Sequence, residues 1–162
     1  MNKNLNEYIS TYKKLLDKGD IQIAYDQLLK YVMALKVHFQ KVKPSYTFGT
    51  VFLGFMDYTY FYFFNDFLRS KKLRFGIVLN HPKMQFELWL MGQNTDVQAK
   101  YWELLKNSKW NKDKTAKPQY AELEAIIVSN PNFDDLENLT KEIEEKTVCM
   151  VAEILDYLKN LD

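Results

Sequence analysis

Cysteine is almost missing from this chain. Its single residue, Cys149, excludes an intramolecular disulfide and any cysteine-rich zinc site, and it is expected to be buried in the final helix. Histidine is scarce as well. Neither His38 nor His81 has a second histidine or a cysteine at ligand spacing, so no metal is expected. No surplus of one charge exists either. The 22 Lys and Arg nearly balance the 21 Asp and Glu, and a formal net charge of +1 argues against an electrostatically driven nucleic-acid binder. Long apolar runs are lacking too. The richest stretch, Thr47 to Phe64, is interrupted by Gly49, Gly54 and Asp57, and the first residues hold no apolar leader core. No glycine-rich phosphate loop and no nucleophile elbow occur, so no catalytic residue and no cofactor is expected. These absences leave a cytoplasmic protein of one domain, residues 1–162, with no membrane segment.

What is plentiful is apolar and aromatic. The chain is 47% hydrophobic and holds 11 Phe, 11 Tyr and 3 Trp, enough for a sizeable core. Leu5, Tyr8, Ile9, Tyr12, Leu15 and Leu16 recur at helical spacing, and Gly19 stops that helix. Asp20 is expected to cap a second helix with Ile21, Ala24, Tyr25, Leu28, Val32, Leu35 and Phe39 along its stripe. The two form an antiparallel helical hairpin. Residues 46–73 read less clearly. Phe48, Val51, Phe52 and Phe55 fit a helical face, whereas the aromatic run Tyr58 to Phe64 favours a strand. Asn65 and Asp66 are placed to cap a single helical turn.

Residues 74–91 read as a tight β-hairpin around a loop Asn80–Lys83. That loop sets Leu79 opposite Met84, Ile77 opposite Phe86 and Phe75 opposite Leu88, all on a core face. The other face pairs Val78 with Gln85, Gly76 with Glu87 and Arg74 with Trp89. Thr95 and Gln98 then have capping-box spacing for the next helix. Asn107 to Pro118 reads as a lysine-rich surface loop, and 120–129 is divided between helix and strand. Asp134 and Glu137 open a long final helix with Leu136, Leu139, Ile143, Met150, Ile154 and Leu158 on its apolar side.

The candidate site follows from that hairpin. Glu87 is a carboxylate within a sheet, and Arg74 lies diagonally within its reach. One reading is a polar pocket lined by Arg74, Gln85, Glu87 and Trp89, with Gly76 leaving room. The favoured reading is a structural Arg74–Glu87 ion pair stacked on Trp89. Gln93 and Asn94 add donors at a helix N-terminus, where capping is the simpler role. Asp57 with Glu87 resembles half of a magnesium nuclease centre, but Leu88 and Trp89 follow Glu87 where a lysine is needed. Tyr58, Tyr60 and Tyr62 alternate like a base-stacking platform, yet core packing is the expectation.

Several strings carry a resemblance across nearly the whole chain. They are Lys18-Gly-Asp-Ile-Gln22, Gly54-Phe-Met-Asp-Tyr-Thr-Tyr-Phe61, Phe86-Glu-Leu-Trp-Leu90 with Gly92-Gln-Asn94, and Asn130-Pro-Asn-Phe-Asp134. Together they resemble an uncharacterised family of small prokaryotic proteins, a domain of unknown function. The resemblance implies a bacterial or archaeal source and no particular chemistry. The expected fold is α+β: a small, mostly antiparallel sheet around the 74–91 hairpin, covered by the N-terminal helical hairpin and a long C-terminal helix. The expected function is non-catalytic binding of a polar small molecule or peptide. The alternatives are a divergent hydrolase or nuclease using Asp57 and Glu87, or a subunit of a homo-oligomer.

Overall fold

The computed structural model describes residues 2–161. Helix α1 (Leu5–Lys18) opens on a capping box: Asn4 Oδ1 accepts the Glu7 N–H while the Glu7 carboxylate accepts the Asn4 N–H. Gly19, at φ 81°, ends α1 and is also the N-cap of α2 (Asp20–Val42). Asp20 is therefore the first residue of α2 and not its cap. One left-handed glycine serves both helix ends, which leaves no separate capping position.

Five strands follow as a meander, β1 (Thr47–Phe52), β2 (Tyr58–Phe64), β3 (Leu73–Asn80), β4 (Gln85–Gly92) and β5 (Leu123–Val128). Every neighbouring pair is antiparallel. Between β2 and β3 the short α3 (Asp66–Ser70) forms, with Asn65 Oδ1 accepting the Leu68 N–H as expected. Helix α4 (Thr95–Leu105) follows β4, and α5 (Leu136–Lys159) closes the chain. The fold is the expected α+β arrangement, with the helical hairpin at one end of the sequence and the long helix at the other.

β1 explains why its sequence imitates a helix. The register slips between Phe48↔Phe63 and Val51↔Phe61, so a bulge at Gly49 and Thr50 puts residues three apart on one face. A side chain at Gly49 would overlap the Tyr62 ring, since its Cβ would lie 2.1 Å away.

The hairpin keeps its expected faces and loses its expected partners. Leu79 pairs with Phe86, Ile77 with Leu88, Phe75 with Leu90, and Val78 with Glu87. The loop is His81–Met84, closed by the Met84 N–H on His81 O with Met84 at φ 47°. A slip of two residues preserves the alternation. Met84 accordingly leaves the core and is 37% exposed.

Phe61, Phe75, Ile77, Phe86, Leu88 and Leu123 project from one face of the sheet into the main core. Val32, Leu35 and Phe39 of α2 pack there, with Leu139, Ile143 and Ile154 of α5. Tyr31 Oη–Thr140 Oγ (3.0 Å) and His38 Nε2–Glu144 Oε2 (2.6 Å) tie α2 to α5. Other details of the helices depart from expectation. Leu136 and Cys149 are exposed, and Thr147 occupies the buried stripe. Asn94 and Asp135, each one place from the expected Thr95 and Asp134, cap α4 and α5, because each side chain accepts the N–H three residues on. Helix α1 buries no residue at all. Among the described residues no helix is long and apolar enough to cross a membrane.

Candidate functional site

The opposite face of the sheet has chemistry of its own. Tyr58, Tyr60 and Tyr62 project there from β2, against a small second cluster of Val78, Trp89, Met91 and Ala121. The tyrosines are half-buried and lie outside the main core, because the alternation that sends Phe61 and Phe63 inward sends them outward. Rings organise this face. Tyr58 meets Trp89 edge-on at 4.9 Å, Trp89 stacks on Tyr120 at 6.3 Å, and Phe52 stacks on Tyr60 at 4.9 Å.

A groove of about 420 Å³ runs over these rings. Phe52, Tyr58, Tyr60, Trp89 and Tyr120 give it aromatic walls, while Asp57, Arg74 and Gln98 are its charged and amide groups. Its size falls within the roughly 300–1,000 Å³ range of small-molecule sites. Arg74 also lines a second groove of about 270 Å³, with Tyr62, Phe64, Arg69, Lys72 and Gln93. The Arg74 guanidinium lies 4.4 Å over the Tyr62 ring, and its Nε is buried without an acceptor. Arg74 makes no ion pair among the described residues.

The expected Arg74–Glu87 ion pair does not form. Glu87 sits opposite Val78 and Arg74 opposite Met91, four residues apart along the strands. That separation is about 13 Å. Glu87 is instead sealed in the sheet, where Oε2 accepts from Asn80 Nδ2 at 2.7 Å and Oε1 from Trp89 Nε1 at 3.3 Å. Gln85 is buried beside it, and neither lines the groove. The room expected over Gly76 is filled by Met91, whose Cε lies 2.7 Å from where a Cβ would be. Asn94 is occupied as the cap of α4. Of the expected site residues, Asp57, Arg74 and Trp89 share the first groove, and Gln93 joins Arg74 in the second.

Asp57 is held by its own loop. Its Oδ1 accepts the Phe55 and Tyr58 N–H groups, and these bonds hold its carboxyl below the usual carboxylate range. It faces the groove as an anion. Nearby, His81 is half-buried and its pKa is lowered by that burial. Thr59 Oγ1 donates to Leu53 O and so receives its other bond from His81 Nε2, at 2.8 Å.

A family model described as a domain of unknown function matches residues 5–158, from the first turn of α1 to the last of α5. The chain belongs to the DUF7000 family. No curated protein and no solved structure matches it.

Sequence reasoning missed several groups that the DUF7000 domain brings together. Tyr120, Arg69 and Lys72 gave no signal, since only the fold sets them beside Trp89 and Arg74. Lys114, expected in a solvated loop, is half-buried and donates to Glu124 O and Asn111 Oδ1. Glu122 was also missed. It is fully buried, its Oε2 accepts the Gly92 N–H at 2.6 Å, and its Oε1 has no partner. Burial pushes its pKa up to about 7. No group of three His, Cys, Asp or Glu side chains able to hold a metal occurs among the described residues. A further cavity between α2, β1 and α5 is apolar and only about 180 Å³.

Proposed function

We propose that this DUF7000 domain is a non-catalytic binding module that takes a polar small molecule in the groove over Tyr58, Tyr60 and Trp89. One observation carries the reading: Arg74, which makes no ion pair among the described residues, lines both grooves and stands at their junction. A guanidinium is a planar fork of donors suited to an anionic ligand. The aromatic walls supply contact area, and Asp57 supplies an acceptor. Thermal-shift measurement against a panel of small aromatic acids and organic anions tests this. Compounds that raise the melting temperature of the native protein by several degrees should lose that effect in Arg74→Met. Equal shifts in both proteins, or none in either, would refute the groove as a site. A prokaryotic, cytoplasmic setting belongs to the same proposal, and the exposed thiol of Cys149 suits a reducing compartment.

Self-association is a second reading, favoured by α1 alone. Leu5, Tyr8, Ile9 and Tyr12 are each more than half exposed on one stripe of a helix that buries nothing. Size-exclusion chromatography should then give a species larger than 19.3 kDa that Ile9→Lys converts to monomer. A clean monomer in the native protein would remove this reading.

A further inference from the structure

We infer that the ligand of this face is a nucleoside monophosphate, its base in the aromatic groove and its phosphate in the adjoining basic one. This deepens the proposed binding function and rests on it. The second groove holds Arg69, Lys72 and Arg74 with the amide of Gln93, and no carboxylate among the described residues lines it. Neither Arg69 nor Lys72 makes an ion pair among the described residues. In a protein of net charge +1, three cations around one small groove, none ion-paired among the described residues, are a local concentration of charge. A dianionic phosphoryl group complements them better than a single carboxylate does, and the arginines present planar donor forks to it.

The neighbouring groove has the opposite character. Tyr58, Tyr60 and Tyr120 bring partly exposed ring surface to it, with the buried Trp89 beneath them, and such surface suits a planar heterocycle. Asp57 stands in that groove as an anion and matches the amino or ring N–H donors of a base. Arg74 lines both grooves, so the aromatic and the cationic linings meet at one residue. That junction suits a mononucleotide, whose phosphate lies one sugar away from its base. The near-neutral protein as a whole does not suit a polyanion, which sets a single nucleotide ahead of a strand.

Titration of the full chain with AMP and GMP, followed by tryptophan fluorescence and calorimetry, tests the assignment. Adenosine, guanosine, inorganic phosphate and a single-stranded decanucleotide are the comparison probes. At least one monophosphate should bind saturably, tenfold or more tighter than its nucleoside and than inorganic phosphate. Arg69→Gln and Lys72→Gln should each weaken it three- to tenfold while leaving nucleoside affinity unmoved. Monophosphate binding no tighter than phosphate, indifference to both substitutions, or tighter binding of the decanucleotide would each overturn the assignment. A phosphate-free aromatic acid that binds natively but not in Arg74→Met, with no nucleotide binding, would overturn it and leave the groove standing. Absence of every ligand would overturn both.

Discussion

Glu122→Gln should leave stability at pH 4 nearly unchanged and raise it by about 3 kcal/mol at pH 8. The carboxyl is fully buried, and burial raises its pKa from the ordinary 4.5 to about 7. Below the unfolded pKa the group is protonated in both states and costs nothing extra. Between the unfolded and folded values the unfolded chain sheds a proton that the native chain retains, so stability falls as pH rises. Above the folded value the loss is complete. Glutamine is neutral throughout, and its carbonyl can still accept the Gly92 N–H. The effect at pH 8 corresponds to roughly 6–12 °C in melting temperature for a chain of this size. Urea unfolding at pH 4, 6 and 8 measures it. Parallel pH profiles for the two proteins would show that Glu122 is not the titrating group. His81 works in the opposite sense, because its lowered pKa makes stability rise with pH through the range below its unfolded value, so the two groups separate by sign.

Glu122 also marks where sequence reading stops. Its burial arises because Asn111 Nδ2 holds Glu122 O and the 107–122 loop folds back over the end of β4, a contact no local pattern announces. Patterns with a period were legible. The alternation of β3 and β4 separated the core face from the opposite face correctly except at Met84, since a period of two depends on no loop detail, whereas the β2 tyrosines expected in the core lie on the opposite face. Cross-strand partners were not legible, because they depend on whether Met84 closes the turn or enters the strand, and Met84 adopts a left-handed conformation to close it. The Gly49 bulge likewise turned a strand into apparent helical spacing. The candidate site inherited these errors. Arg74 and Trp89 were named as candidate site residues and do line one groove, but they were named through a pairing that a two-residue slip abolishes. Its basic partners come from α3 and the turn after it, and only the fold brings them near.

Glu87→Ala should be the more damaging of the two carboxylate changes, destabilising the chain by about 3 kcal/mol. Its oxygens accept from two buried donors, Asn80 Nδ2 and Trp89 Nε1, and alanine would strand both. Relief from no longer burying a charge offsets part of that loss. Glu87→Gln keeps one acceptor and turns an amide toward the other donor, so about half the loss is expected. Were Glu87 held by Arg74, removing either residue would cost alike. Instead Arg74→Met should cost less than about 1 kcal/mol, because loss of the cation–π contact with Tyr62 is offset by removal of a buried Nε that has no acceptor. A double-mutant cycle supplies the decisive comparison. Asn80→Ala also frees the Lys83 N–H that Asn80 Oδ1 accepts, so alone it should loosen the hairpin turn. Combined with Glu87→Ala it removes a stranded donor, and the pair should cost at least 0.5 kcal/mol less than the sum of the singles. Strict additivity between Asn80 and Glu87, or strong coupling between Arg74 and Glu87, would return the ion pair that the register excludes.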